Sequence, residues 1–181
     1  MDQSDIGRCA LIAAAVASAL LMAPVANAAR YSDDKYGFSA KLPVGLTVCT
    51  TPQPGSDHGF ALLLRPGSCE RHEPTGDWIG VYAAYDTVYD ARSTAELAEA
   101  LCGDASVMHN AISVGGLVFD TCEKVTTGGS RELDYVALRT KSRQWADISV
   151  EMLVTVYCRD PRRLTEYRKI AERVLRSCVF W

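Results

Sequence analysis

Three histidines, His58, His72 and His109, are the natural starting points for chemistry in this chain. Two stand beside carboxylates: His58 follows Asp57, and His72 lies in CERHE between Glu70 and Glu73. An imidazole next to a carboxylate can move protons or hold a metal. If the polar stretches 50–59 and 65–77 converge, Asp57, His58, His72 and Glu73 form one cluster, and these four are the candidate binding residues. The plainer reading is that histidines in polar loops flanked by acids are simply solvated. His109 sits in a β-prone stretch ahead of Gly115-Gly116 and reads as structural or surface. Other chemistries find little support. The chain has no C-x-x-C or H-x-x-x-H pair, so no metal or cofactor is expected. It also lacks a G-x-S-x-G elbow. Gly128-Gly129-Ser130 reads as a hairpin turn without the strand, helix and lysine of a phosphate loop. No catalytic residue is assigned.

The compartment follows from the start of the chain. Residues 10–29, ALIAAAVASALLMAPVANAA, are apolar and end in Ala26-Asn27-Ala28, the small-residue pattern of a secretory leader. Arg8 is offset by Asp2 and Asp5, Pro24 interrupts the end of the run, and its uncharged core is shorter than the ~20 residues that span a bilayer. Cys9 precedes the core, whereas a lipid-modified cysteine follows it. Residues 1–28 are therefore expected to be a cleaved signal peptide. Residues 29–181 then form one domain, periplasmic or secreted, with no membrane anchor. Without Asp2, Asp5 and Arg8 the domain carries 18 basic and 20 acidic residues, a balance that gathers neither nucleic acid nor an acidic membrane surface. Six cysteines remain: Cys49, Cys69, Cys102, Cys122, Cys158 and Cys178. An even number in an exported chain implies three disulfides. Three of the intervals are twenty residues, but the segments between share no pattern, so they are not repeats.

The elements that must position these residues are mostly strands. YGFSAKL alternates, and FALLLR and WIGVYAAY are apolar, β-prone runs between turn signals. Within the last run Trp78, Gly80, Tyr82 and Ala84 share one face and Tyr85 falls on the other, which favours packing over a binding platform. Ser93 caps a short helix, TAELAEALC, with Glu96 placed for a capping box. NAISV and LVFDTCEKV flank the Gly115-Gly116 turn, and RELDYVALRT follows TTGGS. ADISVEMLVTVYC then alternates strictly, with Ile148, Val150, Met152, Val154 and Val156 on one face.

That face needs a cover, and the final helix supplies it. Asp160 is a good N-cap and Pro161 fits the first turn. Leu164, Tyr167, Ile170, Ala171, Val174, Leu175 and Cys178 fall on one side, with Arg162, Glu166, Lys169, Arg173 and Arg176 opposite. The basic edge is the solvent face of an amphipathic helix. If the helix runs unbroken over 161–177 it is about 25 Å long, far beyond the roughly 4.4–6.8 Å Cα separation of a disulfide. Cys158 and Cys178 are then not joined to each other. With all six cysteines paired, each needs an upstream partner, and at least one of the local bonds 49–69 and 102–122 is absent. The fold class is α+β: a mostly antiparallel sheet carrying a short helix and a long C-terminal helix, stabilised by disulfides.

The opening YSDDKYGFSAKLPVGL resembles the start of PsbP-like domains, in which a short strand carries Tyr-Gly-Phe into a Pro-Gly turn. The order of strands, short helix, antiparallel meander and long C-terminal helix is similar to that α/β/α sandwich. The resemblance implies non-enzymatic work, since members are extrinsic subunits, GTPase-binding proteins and adaptors for secreted effectors. The six cysteines are not part of the family's pattern. The expectation is an exported, non-enzymatic domain that binds another protein as an inhibitor, immunity protein or adaptor. The alternative is a small periplasmic hydrolase using His58 or His72 with a neighbouring carboxylate.

Overall fold

Alternation builds the centre of the molecule. The computed structural model describes residues 29–50, 57–70, 73–85, 91–142 and 147–181; the expected leader, 1–28, lies outside the described residues. In β11 (Asp147–Cys158) the residues Val150, Met152, Val154 and Val156 are all fully buried. This strand pairs along its whole length with β10 (Arg131–Ser142), Arg131 opposite Cys158. Its other edge pairs with β7 (Trp78–Tyr85). Beyond β10 lie β9 (Leu117–Val125) and β8 (Val107–Val114); beyond β7 lie β4 (Asp57–Leu63) and β3 (Thr47–Thr50). The result is a seven-stranded sheet, β3-β4-β7-β11-β10-β9-β8, antiparallel at every step. Gly115 and Gly116 turn β8 into β9 with φ of 57° and 84°, a pair of positive angles that glycine adopts without penalty.

Both faces of this sheet are covered, so its middle strands bury apolar side chains on both sides. In β10, Leu133, Tyr135 and Ala137 join one core cluster while Val136 and Leu138 join another. The larger cluster is roofed by α2 (Leu164–Arg176), which buries Leu164, Tyr167, Ala171, Val174 and Leu175 and exposes Lys169, Arg173 and Arg176. The smaller one is roofed by α1 (Thr94–Cys102) through Leu97 and Ala98. The architecture is a three-layer α/β/α sandwich of the α+β class. A second sheet, β1 (Arg30–Asp33), β2 (Phe38–Lys41) and β12 (Val179–Phe180), packs Tyr36, Phe38 and Ala40 into the α2 side of the core. Arg139 fastens it, donating to the carbonyls of Gly37 at 3.0 Å and Trp181 at 2.7 Å. Among the described residues no helix is long and apolar enough to cross a membrane.

The helix starts follow their local sequence. Ser93 Oγ accepts from Glu96 N at 3.1 Å, while the Glu96 carboxylate takes the amide of Arg92 at 2.7 Å. Asp160 accepts from Arg162 N at 3.2 Å, but Pro161–Arg163 form a tighter 3₁₀ turn before α2 begins at Leu164. Buried Asp77 then ties three segments together, accepting from Arg159 N and from the Tyr167 hydroxyl, each at 2.9 Å.

The cysteine pairing departs from expectation. Cys49 in β3 is bonded to Cys69 in β5 (Cys69–Glu70), which forms a small hairpin with β6 (Glu73–Pro74). Cys102, the last residue of α1, is bonded to Cys122 in β9. Cys158 and Cys178 are free thiols. The expected third disulfide is therefore absent, and both local bonds are present rather than at most one. Helix α2 does separate Cys158 from Cys178, as its length requires. An even count of cysteines does not pair completely here, because both thiols are buried in the main core and pack there as small apolar groups. Burial pushes the Cys178 thiol up to about 12. Burial and then the nearby Asp77 carboxylate raise that of Cys158.

Candidate functional site

His58 is not a loop residue. It lies in β4, where His58, Phe60 and Leu62 project to the α2 side and Gly59, Ala61 and Leu63 to the other. Its ring is 4% exposed, and Nδ1 is 2.9 Å from Asp33 Oδ2. A carboxylate only accepts, so Nδ1 carries the proton in this pair. Asp33 is itself held: its Oδ1 accepts from Tyr36 N at 3.1 Å and its Oδ2 from the Tyr31 hydroxyl at 3.3 Å. The Tyr36 ring lies against His58 and stacks on Tyr85, with centroids 4.6 and 4.3 Å apart. Burial, followed by the Asp33 charge, raises the Tyr31 phenol above its ordinary value. These contacts pin the β1–β2 hairpin to the large sheet. So deep an imidazole holds the fold together.

The remaining candidates are placed differently. Asp57 begins β4 opposite Ala84, Glu73 begins β6 opposite Glu70, and His72 lies outside the described residues. The Cys49–Cys69 bond holds Cys69 on the side of Cys49, Ala61, Leu63 and Trp78, across the sheet from the His58 ring. On that side Trp78 and Tyr82 close over Gly80, where a Cβ would sit 2.2 Å from the Tyr82 ring and 2.8 Å from that of Trp78. Trp78 also stacks on Tyr157 with centroids 5.9 Å apart. These aromatics pack on the sheet, and Tyr85 points to the opposite face as its position predicts.

The exposed imidazole is His109. Its side chain is 48% exposed, and Nδ1 is 2.8 Å from Oδ2 of Asp120, which is 5% exposed. Asp120 Oδ1 accepts from the amide of Asn110 at 2.8 Å. The arrangement depends on a break in strand register. Ile112 faces Phe119 and Met108 faces Thr121, so three residues of β8, 109–111, stand opposite Asp120 alone. Asn110 takes a φ of 54° within this bulge, an angle that asparagine tolerates better than most residues. His109, Asn110 and Asp120 line an open groove of about 370 Å³ with Val118 and Ser93, Thr94 and Ala95 at the start of α1. Chemically this is an oriented imidazole with one nitrogen committed to a buried carboxylate. It can exchange a proton or hydrogen-bond a visiting group. The sequence signal was the presence of His109 and Asp120 on the two arms of a Gly-Gly hairpin. Regular pairing would place His109 opposite Cys122, so the sequence alone does not bring His109 to Asp120.

A second groove, about 450 Å³, opens at the other end of α1 beside Cys102, Asp104 and Lys124. Lys124 Nζ there contacts Asp134 at 2.6 Å, Glu132 at 2.7 Å and the Leu101 carbonyl at 3.4 Å. Burial raises the Asp134 carboxyl above its ordinary value despite Lys124 and the Thr155 hydroxyl. Among the described residues no group of three or more His, Cys, Asp or Glu side chains could hold a metal ion.

With the layers and strand order established, the chain can be set beside known proteins. The solution structure of cyanobacterial PsbP from Synechocystis sp. PCC 6803 superposes with a TM-score of 0.50, covering 97% of this chain and 99% of that one. The fold is PsbP-like. The two sequences are 16% identical, so the likeness is one of architecture. No protein-family model matches the chain, and no curated protein does.

Proposed function

We propose that this PsbP-like domain is exported and binds another protein, as an inhibitor, immunity protein or adaptor. The observation that carries the reading is the surface at β8 and β9. Val118 is 40% exposed and lines an open groove with the oriented His109, while Met108, 64% exposed, pairs with Thr121 and stands on the other face of the sheet. An apolar side chain left in solvent at a shallow groove beside an oriented imidazole suits an anchor residue from a protein partner. Export is supported by the apolar run 10–29 and by two disulfides, which persist in an oxidising compartment. Asp57, His72 and Glu73 are further contact residues in this reading; His58, buried against Asp33, is not. The test is affinity capture from a periplasmic extract with wild type, Val118→Glu and His72→Ala/Glu73→Ala. A partner held by wild type and lost from one variant supports the reading; identical capture by all three defeats it. The protein purified from the periplasm should begin at Ala29, and retention of Met1 in the cytosol would defeat export.

The His109–Asp120 pair favours one second reading, a small hydrolase in which His109 rather than His58 or His72 serves as general base. Hydrolysis of activated esters by wild type, abolished in His109→Ala, would establish it. Equal rates in both would end it.

A further inference from the structure

The outer edge of β8 lacks the usual protection of an edge strand. Natural sheets guard their edges with lysine, proline, inward charges or bulges, because an open row of backbone groups pairs with other chains. β8 reads VMHNAISV, with no proline, lysine, arginine or carboxylate, and it ends the seven-stranded sheet. Its residues 108–111 are all exposed, and its strand partner among the described residues is β9 alone. The opposite edge is different: β3 is four residues long and is clipped by the Cys49–Cys69 bond. One protective device is left on β8, the bulge at 109–111. A single buried carboxylate holds it, through Asp120 Oδ2 to His109 and Asp120 Oδ1 to the amide of Asn110.

We infer that the Asp120-held bulge is the latch that keeps β8 from pairing with β8 of a second copy of this chain. The occupant follows from the strand itself. Antiparallel pairing about a twofold axis sets β8 against β8, and a strand without Lys, Arg, Asp or Glu brings no like charges together. Its eight residues, Val107–Val114, exceed the commonest strand length of about 5–6, and the sheet would continue across the axis. With the latch closed, Asn110 at φ 54° bends the edge and interrupts the regular spacing of its amides and carbonyls. This inference stands apart from the partner-binding reading, since it concerns backbone pairing between copies.

Two substitutions open the latch independently. Asp120→Ala removes the clamp. Asn110→Val leaves every buried group in place but puts a β-branched residue where the backbone is left-handed, which drives the bulge out. Molar mass by light scattering and sedimentation at matched concentration is the readout. Wild type is expected as a monomer, and Asn110→Val and Asp120→Ala as dimers of doubled mass. Adding Ala111→Lys to either variant, which sets like charges across the twofold axis, should return it to monomer. A monomeric Asn110→Val with a wild-type thermal transition would overturn the inference, whether or not Asp120→Ala folds. A dimer that Ala111→Lys leaves intact would overturn it too, as would a wild type already paired through β8.

Discussion

Removing cysteines in pairs separates the two covalent clips from the two core thiols. Each disulfide joins residues twenty positions apart. For a loop of that size, tethering the unfolded chain contributes about 3.3 kcal/mol at 25 °C. Cys49→Ala/Cys69→Ala should therefore cost about 3 kcal/mol. Cys102→Ala/Cys122→Ala should cost somewhat more, because both half-cystines are buried between α1 and β9 and their loss opens space there. In a domain of this length each kcal/mol lowers Tm by about 2–4 °C, so either pair should lower it by roughly 7–13 °C. Cys158→Ala/Cys178→Ala constrains no loop and should cost about 1–2 kcal/mol per site, from lost packing alone. The assay is denaturant unfolding with and without dithiothreitol. Reductant should destabilise wild type and Cys158→Ala/Cys178→Ala by the same amount. If Cys158→Ala/Cys178→Ala loses part of its reductant sensitivity, or if a non-reducing peptide map finds either residue in a cystine, the pairing is wrong.

Other expectations are more local. Asp77→Ala strands the Arg159 amide and the Tyr167 hydroxyl and should lower stability by about 3 kcal/mol in urea, with Asp77→Asn losing about half of that; a change below about 1 kcal/mol would mean that water replaces the carboxylate. Folded Cys178 keeps its proton up to about 12, whereas the unfolded thiol ionises near 9.0. Its contribution is thus fully present below pH 9 and is lost as pH rises toward 12, and Cys178→Ala should flatten that decline in urea midpoints. Arg173→Ala or Arg176→Ala should change stability by no more than about 0.5 kcal/mol in the same assay. Val174→Asp should unfold the domain, seen as loss of cooperative thermal melting, because it places an unpaired charge in the core.

Local pattern determined much of this protein. Strict alternation in 148–156 specified a strand with one buried face, and the spacing of Leu164, Tyr167, Ala171, Val174 and Leu175 specified the helix that covers it. Ser93 with Glu96 and Asp160 with Pro161 marked both helix starts, and Gly115-Gly116 marked the hairpin. Each of these signals lies within one turn or one strand, where neighbouring residues carry the whole physical cause. Tertiary structure decided the rest. His58 became a buried partner of Asp33 because β1 folds onto β4 across 25 positions, and no spacing near His58 announces that contact. Cys158 and Cys178 stayed reduced because α2 holds them apart within one core, which a count of cysteines does not register. The His109–Asp120 pair arose from a two-residue register shift between β8 and β9. Register is set by what both strands pack against, and so the exposed histidine met its carboxylate only once the sheet was assembled.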